Sequence, residues 1–266
     1  MFGKVFYRGG FILFVDVGGI RINYLDESGY EKPVVLLLHG WGCKGETYRK
    51  IIDRLSPRFR IIAPDLPGFG ESPEPPEPWG VSDYANLIRS FCGELKFENI
   101  TLFGHSLGGR IIIKLLADGF TPASGKVVLT GAAGIKPQKS LSQKIKTAVY
   151  KTGKIFLKPF PSLFIKLQNR SGSADYRAAS PMMRNCLVKI VNEDLTPLLP
   201  RIKQNVLLIW GENDDSTPLS DGKMMEERMP GAGLAVMKGA GHYAFLDQPE
   251  VFGKILDSYL GAKNDS

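Results

Sequence analysis

Ser106 stands in the stretch GHSLGGR, directly after the apolar run ITLF and directly before IIIKLLADGF. A serine set among glycines where a buried strand turns into a helix is pushed to the apex of a turn too tight for larger neighbours. There it gains from the free NH groups and dipole of the helix N-terminus, which favour negative charge. That is the setting of a nucleophile. The alternative is a glycine-rich helix start in which the serine caps the helix. The five-residue pattern is common by chance, and its place between a strand and a helix is what makes it specific.

A hydroxyl attacks only when a base takes its proton. The chain has three histidines, His39, His105 and His242. His39 ends an early strand in HGWG, and His105 is expected to point away from the reacting face because it neighbours Ser106. His242, in GAGHYAFLDQPE, falls on a loop before the helix announced by Pro249, which makes it the best base; the alternative is a buried structural histidine. The base needs a carboxylate to fix its tautomer. WGENDDSTP offers Asp214 and Asp215, between which the residues themselves do not choose, and Thr217 and Pro218 read as the cap and first residue of the next helix. The order serine, aspartate, histidine is that of one fold and differs from the chymotrypsin and subtilisin orders.

These groups need a scaffold that carries them on loops. Continuous apolar runs recur as VVLLLH at 34, RIIAPD at 60, ITLFGH at 100, VVLTG at 127, VLLIWG at 206 and LAVMKG at 234. Runs of this kind are strands buried on both faces. Helical stretches at 81–96, 107–118, 219–229 and 249–260 lie between or after them. The alternation predicts an α/β fold: a mostly parallel twisted sheet flanked by helices. FILFVDV and IRINYLDE, separated by two glycines, predict an antiparallel hairpin at its edge.

The rhythm breaks after the strand at 127. We read residues 136–192 as a mobile helical cap inserted between core segments 1–135 and 193–266. SLSQ at 140 is a capping box of Ser140 and Gln143, after which Leu141, Ile145, Ala148 and Val149 share one helical face. KPFPSLF at 158 breaks that helix, and 163–168 and 181–191 look helical again. The interval holds twelve Lys and Arg and one acid, Asp175, so the basic character of a chain with net charge +7 is concentrated there. Three readings of that charge stand: a solvated lysine face, attraction of an anionic substrate, and weak contact with an anionic membrane surface. SPEPPEPWG at 72 reads as a stiff extended loop.

Composition sets further expectations. A chain of 266 residues with 43% hydrophobic and 23% charged residues falls within the globular norm. FILFV at 11–15 runs into Asp16 without a small-residue cleavage pattern and reads as a strand. Cys43, Cys92 and Cys186 are odd in number and widely spaced, which argues against a disulfide framework and for a cytoplasmic protein. No HExxH, paired CxxC or phosphate-binding loop is present, so no metal, no cofactor and no nucleic acid is expected.

With LLLHGWG at 36, PDLPGFGES at 64, GHSLGGR at 104, WGENDDSTP at 210 and GAGHYAFLDQPE at 239, the chain resembles the α/β-hydrolase superfamily over essentially its whole length. Five landmarks in order are far more specific than any one. The resemblance implies a catalytic triad of Ser106, Asp214 and His242, because Pro218 follows Asp214 by four residues as in the family's WGxxDxxxP pattern. It leaves Asp215 as a loop or capping carboxylate. It implies an oxyanion hole from the backbone NH groups of Leu107 and Trp41, with Trp41 walling the acyl pocket or merely packing. Gly40 and His105 are further candidates for substrate binding. Cys43 reads as a bystander, Arg110 as a plain helix residue and Asp65 as a strand end fixed by structural hydrogen bonds.

The expected activity is cleavage of small to medium carboxylic esters by a serine carboxylesterase, with a small-molecule ester as partner and a monomeric or homodimeric state. Two alternatives are hydrolysis of a carbon–carbon bond in a vinylogous diketone and a low-turnover ligand-binding receptor on the same fold. Dehalogenases and epoxide hydrolases of the superfamily use an aspartate nucleophile, so Ser106 counts against both.

Overall fold

The computed structural model describes residues 3–7, 10–27, 29–97, 99–122, 125–136 and 173–261. Among the described residues nine strands form one sheet in the order β1-β2-β3-β5-β4-β6-β7-β8-β9. The first three, β1 (Gly3–Tyr7), β2 (Gly10–Val17) and β3 (Ile20–Glu27), are antiparallel, and β3 also pairs antiparallel with β5 (Arg60–Pro64). From β5 onward every pairing is parallel, through β4 (Val34–Leu38), β6 (Ile100–His105), β7 (Lys126–Thr130), β8 (Asn205–Gly211) and β9 (Ala232–Met237). The expected hairpin is present: Gly18 and Gly19, with φ of 59° and 83°, close β2 onto β3 so that Val17 faces Ile20.

Both faces of the parallel strands are covered, which is why they read as unbroken apolar runs. Leu36 and Leu38 of β4 join a core with α2 (Val81–Glu94), α3 (Leu107–Ala117) and Met225 of α6 (Leu219–Arg228). Val35 and Leu37 point the other way, to α1 (Arg49–Leu55), Phe245 of α7 (Ala244–Asp247) and Phe252 and Leu256 of α8 (Pro249–Leu260). Among the described residues between β7 and β8 lie α4 (Ala174–Ala178), capped by Ser173, and α5 (Pro181–Asn192), capped by Ser180 with Pro181 in its first turn. Met183, Cys186 and Ile190 of α5 belong to the same core as α3, so this helix is packed into the body of the fold. The expected capping box at 140, the helical face that follows it and the helix at 163–168 lie outside the described residues.

The chain leaves β4 toward β5 on one side and, after crossing back, leaves β6 toward β7 on the other. Loops that diverge in this way open a crevice at the carboxyl ends of β4 and β6, where open α/β sheets bind ligands. HGWG follows β4 and Ser106 follows β6, so the strand order itself brings these two loops together. Among the described residues no helix is long and apolar enough to cross a membrane.

Candidate active site

Ser106 has φ 51° and ψ −108°, a strained conformation for a residue with a Cβ, and its side chain does not cap α3. The hydroxyl is therefore free of the duty that a capping serine performs. The turn is held by the backbone: Ser106 N–H donates to Thr130 O at 3.2 Å, and Ser106 O accepts from Arg110 N and Ala133 N, each at 3.1 Å. The glycines are there for close approach. A Cβ on Gly108 would sit 1.9 Å from Leu38 O, and one on Gly104 would sit 2.7 Å from the Gly108 backbone.

Asp214 and His242 meet across the ends of β8 and β9, with Nδ1 of His242 2.9 Å from Oδ2 of Asp214. The Asp214 side chain is fully buried, whereas Asp215 is exposed. Oδ1 of Asp214 accepts backbone N–H bonds from Ser216 and Thr217 at 2.9 and 2.8 Å. Burial pushes the Asp214 carboxyl upward, but the His242 and Thr217 hydrogen bonds overcome it and hold the group below the usual carboxylate range. A carboxylate so fixed accepts the Nδ1 proton of His242 and leaves Nε2 with a lone pair. No hydrogen bond joins the Ser106 hydroxyl to His242 here, a separation common in uncomplexed sites. The two residues are linked instead through His105, whose ring centroid lies 4.6 Å from that of His242.

His105 and Gly40, carried as candidates for substrate contact, have other work. His105 is 1% exposed and its Nε2 bonds the His242 carbonyl at 3.1 Å, so it supports the site from beneath. Gly40 is also buried; a Cβ there would come 2.8 Å from His105 Nδ1 and 3.3 Å from Ser106 Cβ, so its backbone packs directly against the Ser106 turn. Turn 40–43 is closed by Cys43 N–H to Gly40 O at 3.2 Å, with Gly42 at φ 72°. Neither the Trp41 nor the Leu107 amide donates to an acceptor among the described residues. Trp41 both packs edge-on against Phe69, at 4.9 Å between centroids, and lines a cavity of about 240 Å³ with Phe69, Glu74, Asp175, Ser180 and Met183.

His39 is a structural histidine: Nδ1–H donates to Gly40 O at 2.8 Å and Nε2 accepts from Leu66 N at 2.9 Å. Burial lowers its pKa, and burial followed by the nearby His242 lowers that of His105 to about 3. In the unfolded chain both return to about 6.5. As pH falls below that value the unfolded state takes up protons that the fold refuses, so stability falls with pH. Both the urea midpoint and the unfolding free energy are expected to drop between pH 7 and pH 5, the latter by up to about 1.4 kcal/mol per pH unit from His105 alone, with His39 adding in the same direction. A midpoint constant over that interval would mean the buried rings accept protons in place.

Two features were less visible in sequence. Thr217 is not the helix cap; Pro218 takes that position, and the Thr217 hydroxyl lies 2.8 Å from Asp214 Oδ2 and 3.0 Å from Gly131 O. A threonine three residues after the acid was the available signal. Arg110 is no plain helix residue: it is 5% exposed and donates through Nη1 to Ile190 O at 2.6 Å and Glu193 O at 2.7 Å, a cation on the last carbonyls of α5. Burial draws its pKa down to about 10. Asp65 meets its expectation, accepting from Gly45 N, Asn23 Nδ2 and Glu71 N at 2.8 to 2.9 Å.

Comparison with known proteins sets this geometry in context. An uncharacterized protein from Mycobacterium bovis is 27% identical over 92% of this chain and 82% of its own length. A haloalkane dehalogenase from Psychrobacter cryohalolentis is 28% identical over 91% of this chain and 88% of its own. Among solved structures, an esterase from Exiguobacterium antarcticum superposes with a TM-score of 0.75 at 28% identity, covering 94% of this chain and 99% of that one. The sequence profile of the alpha/beta hydrolase family matches residues 35–254, most of the chain, and the protein belongs to that family.

Proposed function

We propose that this hydrolase cleaves carboxylic esters of small to medium acyl chains through an acyl-enzyme on Ser106. Nε2 of His242 takes the Ser106 proton as Oγ attacks the ester carbonyl, and Asp214 stabilises the resulting imidazolium. The amides of Trp41 and Leu107 receive the oxyanion, and His242 hands its proton to the departing alcohol. Water, deprotonated by His242, then attacks the acyl-enzyme, and the same proton returns to Ser106 as the acid leaves.

The observation that carries this reading is the fully buried Asp214 bonded at 2.9 Å to His242, at the sheet end where the strained Ser106 turn stands. Relatives include an esterase and a haloalkane dehalogenase. Serine at the elbow favours the acyl chemistry of the first, since the dehalogenases of the superfamily use aspartate there. The 240 Å³ cavity beside Trp41 is in keeping with a short chain, and Ser180 and Met183 on its wall support a covering role for the segment before β8.

The test is turnover of p-nitrophenyl esters from acetate to decanoate by the folded protein. Turnover with an optimum at short or middle length is the expected result. Silence across the series would remove the esterase reading and shift the weight to carbon–carbon bond hydrolysis or ligand sensing.

A further inference from the structure

We propose that His105 is the positioning residue of the base: its Nε2–H holds the backbone carbonyl of His242 and thereby fixes the imidazole of His242 relative to Ser106. This rests on the reading of Ser106 and His242 as nucleophile and base. A carbonyl oxygen only accepts, so the 3.1 Å contact places the proton on Nε2 of His105. The ring has no freedom to leave that bond. It is 1% exposed, with the rings of His242, Tyr243 and Phe245 at 4.6, 4.8 and 5.2 Å between centroids.

On its remaining side, the Gly40 backbone approaches Nδ1 so closely that even a methyl group would be 2.8 Å away. One buried side chain therefore touches the loop bearing the Trp41 amide and the loop bearing the base, and it is covalently joined to the nucleophile. The loop of His242 is tied elsewhere as well, by the exposed Gly241 N–H to Asp247 Oδ2 bond at 2.8 Å and by the His242 ring to Asp214 at 2.9 Å, but neither of these holds the His242 backbone carbonyl. Because burial keeps His105 neutral, its single Nε2–H tautomer persists through the working pH range. A base misplaced by an ångström loses much of its advantage, which is why such a contact matters for rate more than for binding.

His105→Phe keeps an aromatic ring and deletes the donor, while His105→Gln carries an amide N–H at a similar reach and restores it. The rates compared are p-nitrophenyl ester hydrolysis and fluorophosphonate labelling of Ser106, with thermal unfolding as the check on folding. For His105→Phe, kcat is expected to fall about 10-fold or more with KM within about 2-fold, and for His105→Gln to stay within about 3-fold of the parent. If His105→Phe does not fold, His105→Met supplies a donor-free variant. A donor-free variant at parental rate, or equal losses in Phe and Gln variants that are both folded, overturns the proposal in favour of ring packing alone. If the parent itself neither turns over esters nor labels, the nucleophile and base assignments fail first and the proposal falls with them.

Discussion

If the proposed function holds, a Ser106→Ala protein is expected to fold normally and to lose at least about 10³-fold in kcat/KM on p-nitrophenyl esters. Folding should survive because the Ser106 hydroxyl caps nothing, and the bonds that hold the turn come from its backbone N–H and C=O. Alanine inherits the strained φ of 51° without new cost, since both residues carry a Cβ. The urea midpoint should therefore match the parent within error. The rate has no such substitute. Without Oγ no acyl-enzyme forms, and what remains is hydrolysis by water in a site that still offers the Trp41 and Leu107 amides. Activity above about a tenth of the parent would show that another group attacks, and Cys43 would be the first to replace. That thiol ends the 40–43 turn, 3.6 Å from the Tyr243 hydroxyl.

The predicted scaffold and the candidate site on it were legible for different reasons. Runs such as VVLLL could be read as buried strands because β4 is covered on both faces, and that burial leaves no polar positions to blur the run. Strand order could not be read, because the pairing of β3 with β5 and of β4 with β6 is set by packing between residues far apart in sequence. The elbow was visible because close approach at Gly104 and Gly108 admits no side chain, so a physical need is written directly as residue type. β1 and α1 were not anticipated. α1 is short and gains its stability from Ile51, Ile52 and Leu55 against the sheet, a tertiary term that local propensity does not contain. Arg110 and His105 escaped for the same reason. An arginine in a helix or a histidine beside Ser106 acquires its contact from a carbonyl 80 or 137 residues away.

Asp214 and Asp215 show most sharply what structure adds, and they yield a prediction of matching size. Asp214→Asn is expected to lower kcat by about 10⁴-fold, whereas Asp215→Asn should stay within about 2-fold. In the Asp214→Asn variant the side-chain oxygen will face the Ser216 and Thr217 amides, since both are donors that now bond Oδ1 at 2.9 and 2.8 Å. The amide nitrogen must then face His242 Nδ1 and donate to it. That bond forces the proton of the neutral imidazole onto Nε2, where a lone pair is needed for the Ser106 proton. The Thr217 hydroxyl keeps Gly131 O as its acceptor, so the network around the substituted side chain stays satisfied and the variant should fold. Asp215, exposed and outside this network, has no bond to His242 to lose. The loss in Asp214→Asn is therefore a loss of tautomer, visible in kcat with KM nearly constant and with the unfolding free energy within about 1 kcal/mol of the parent. Equal activity of the two variants would mean that the 2.9 Å contact orients nothing, and a larger loss in Asp215→Asn would transfer the role to the other carboxylate.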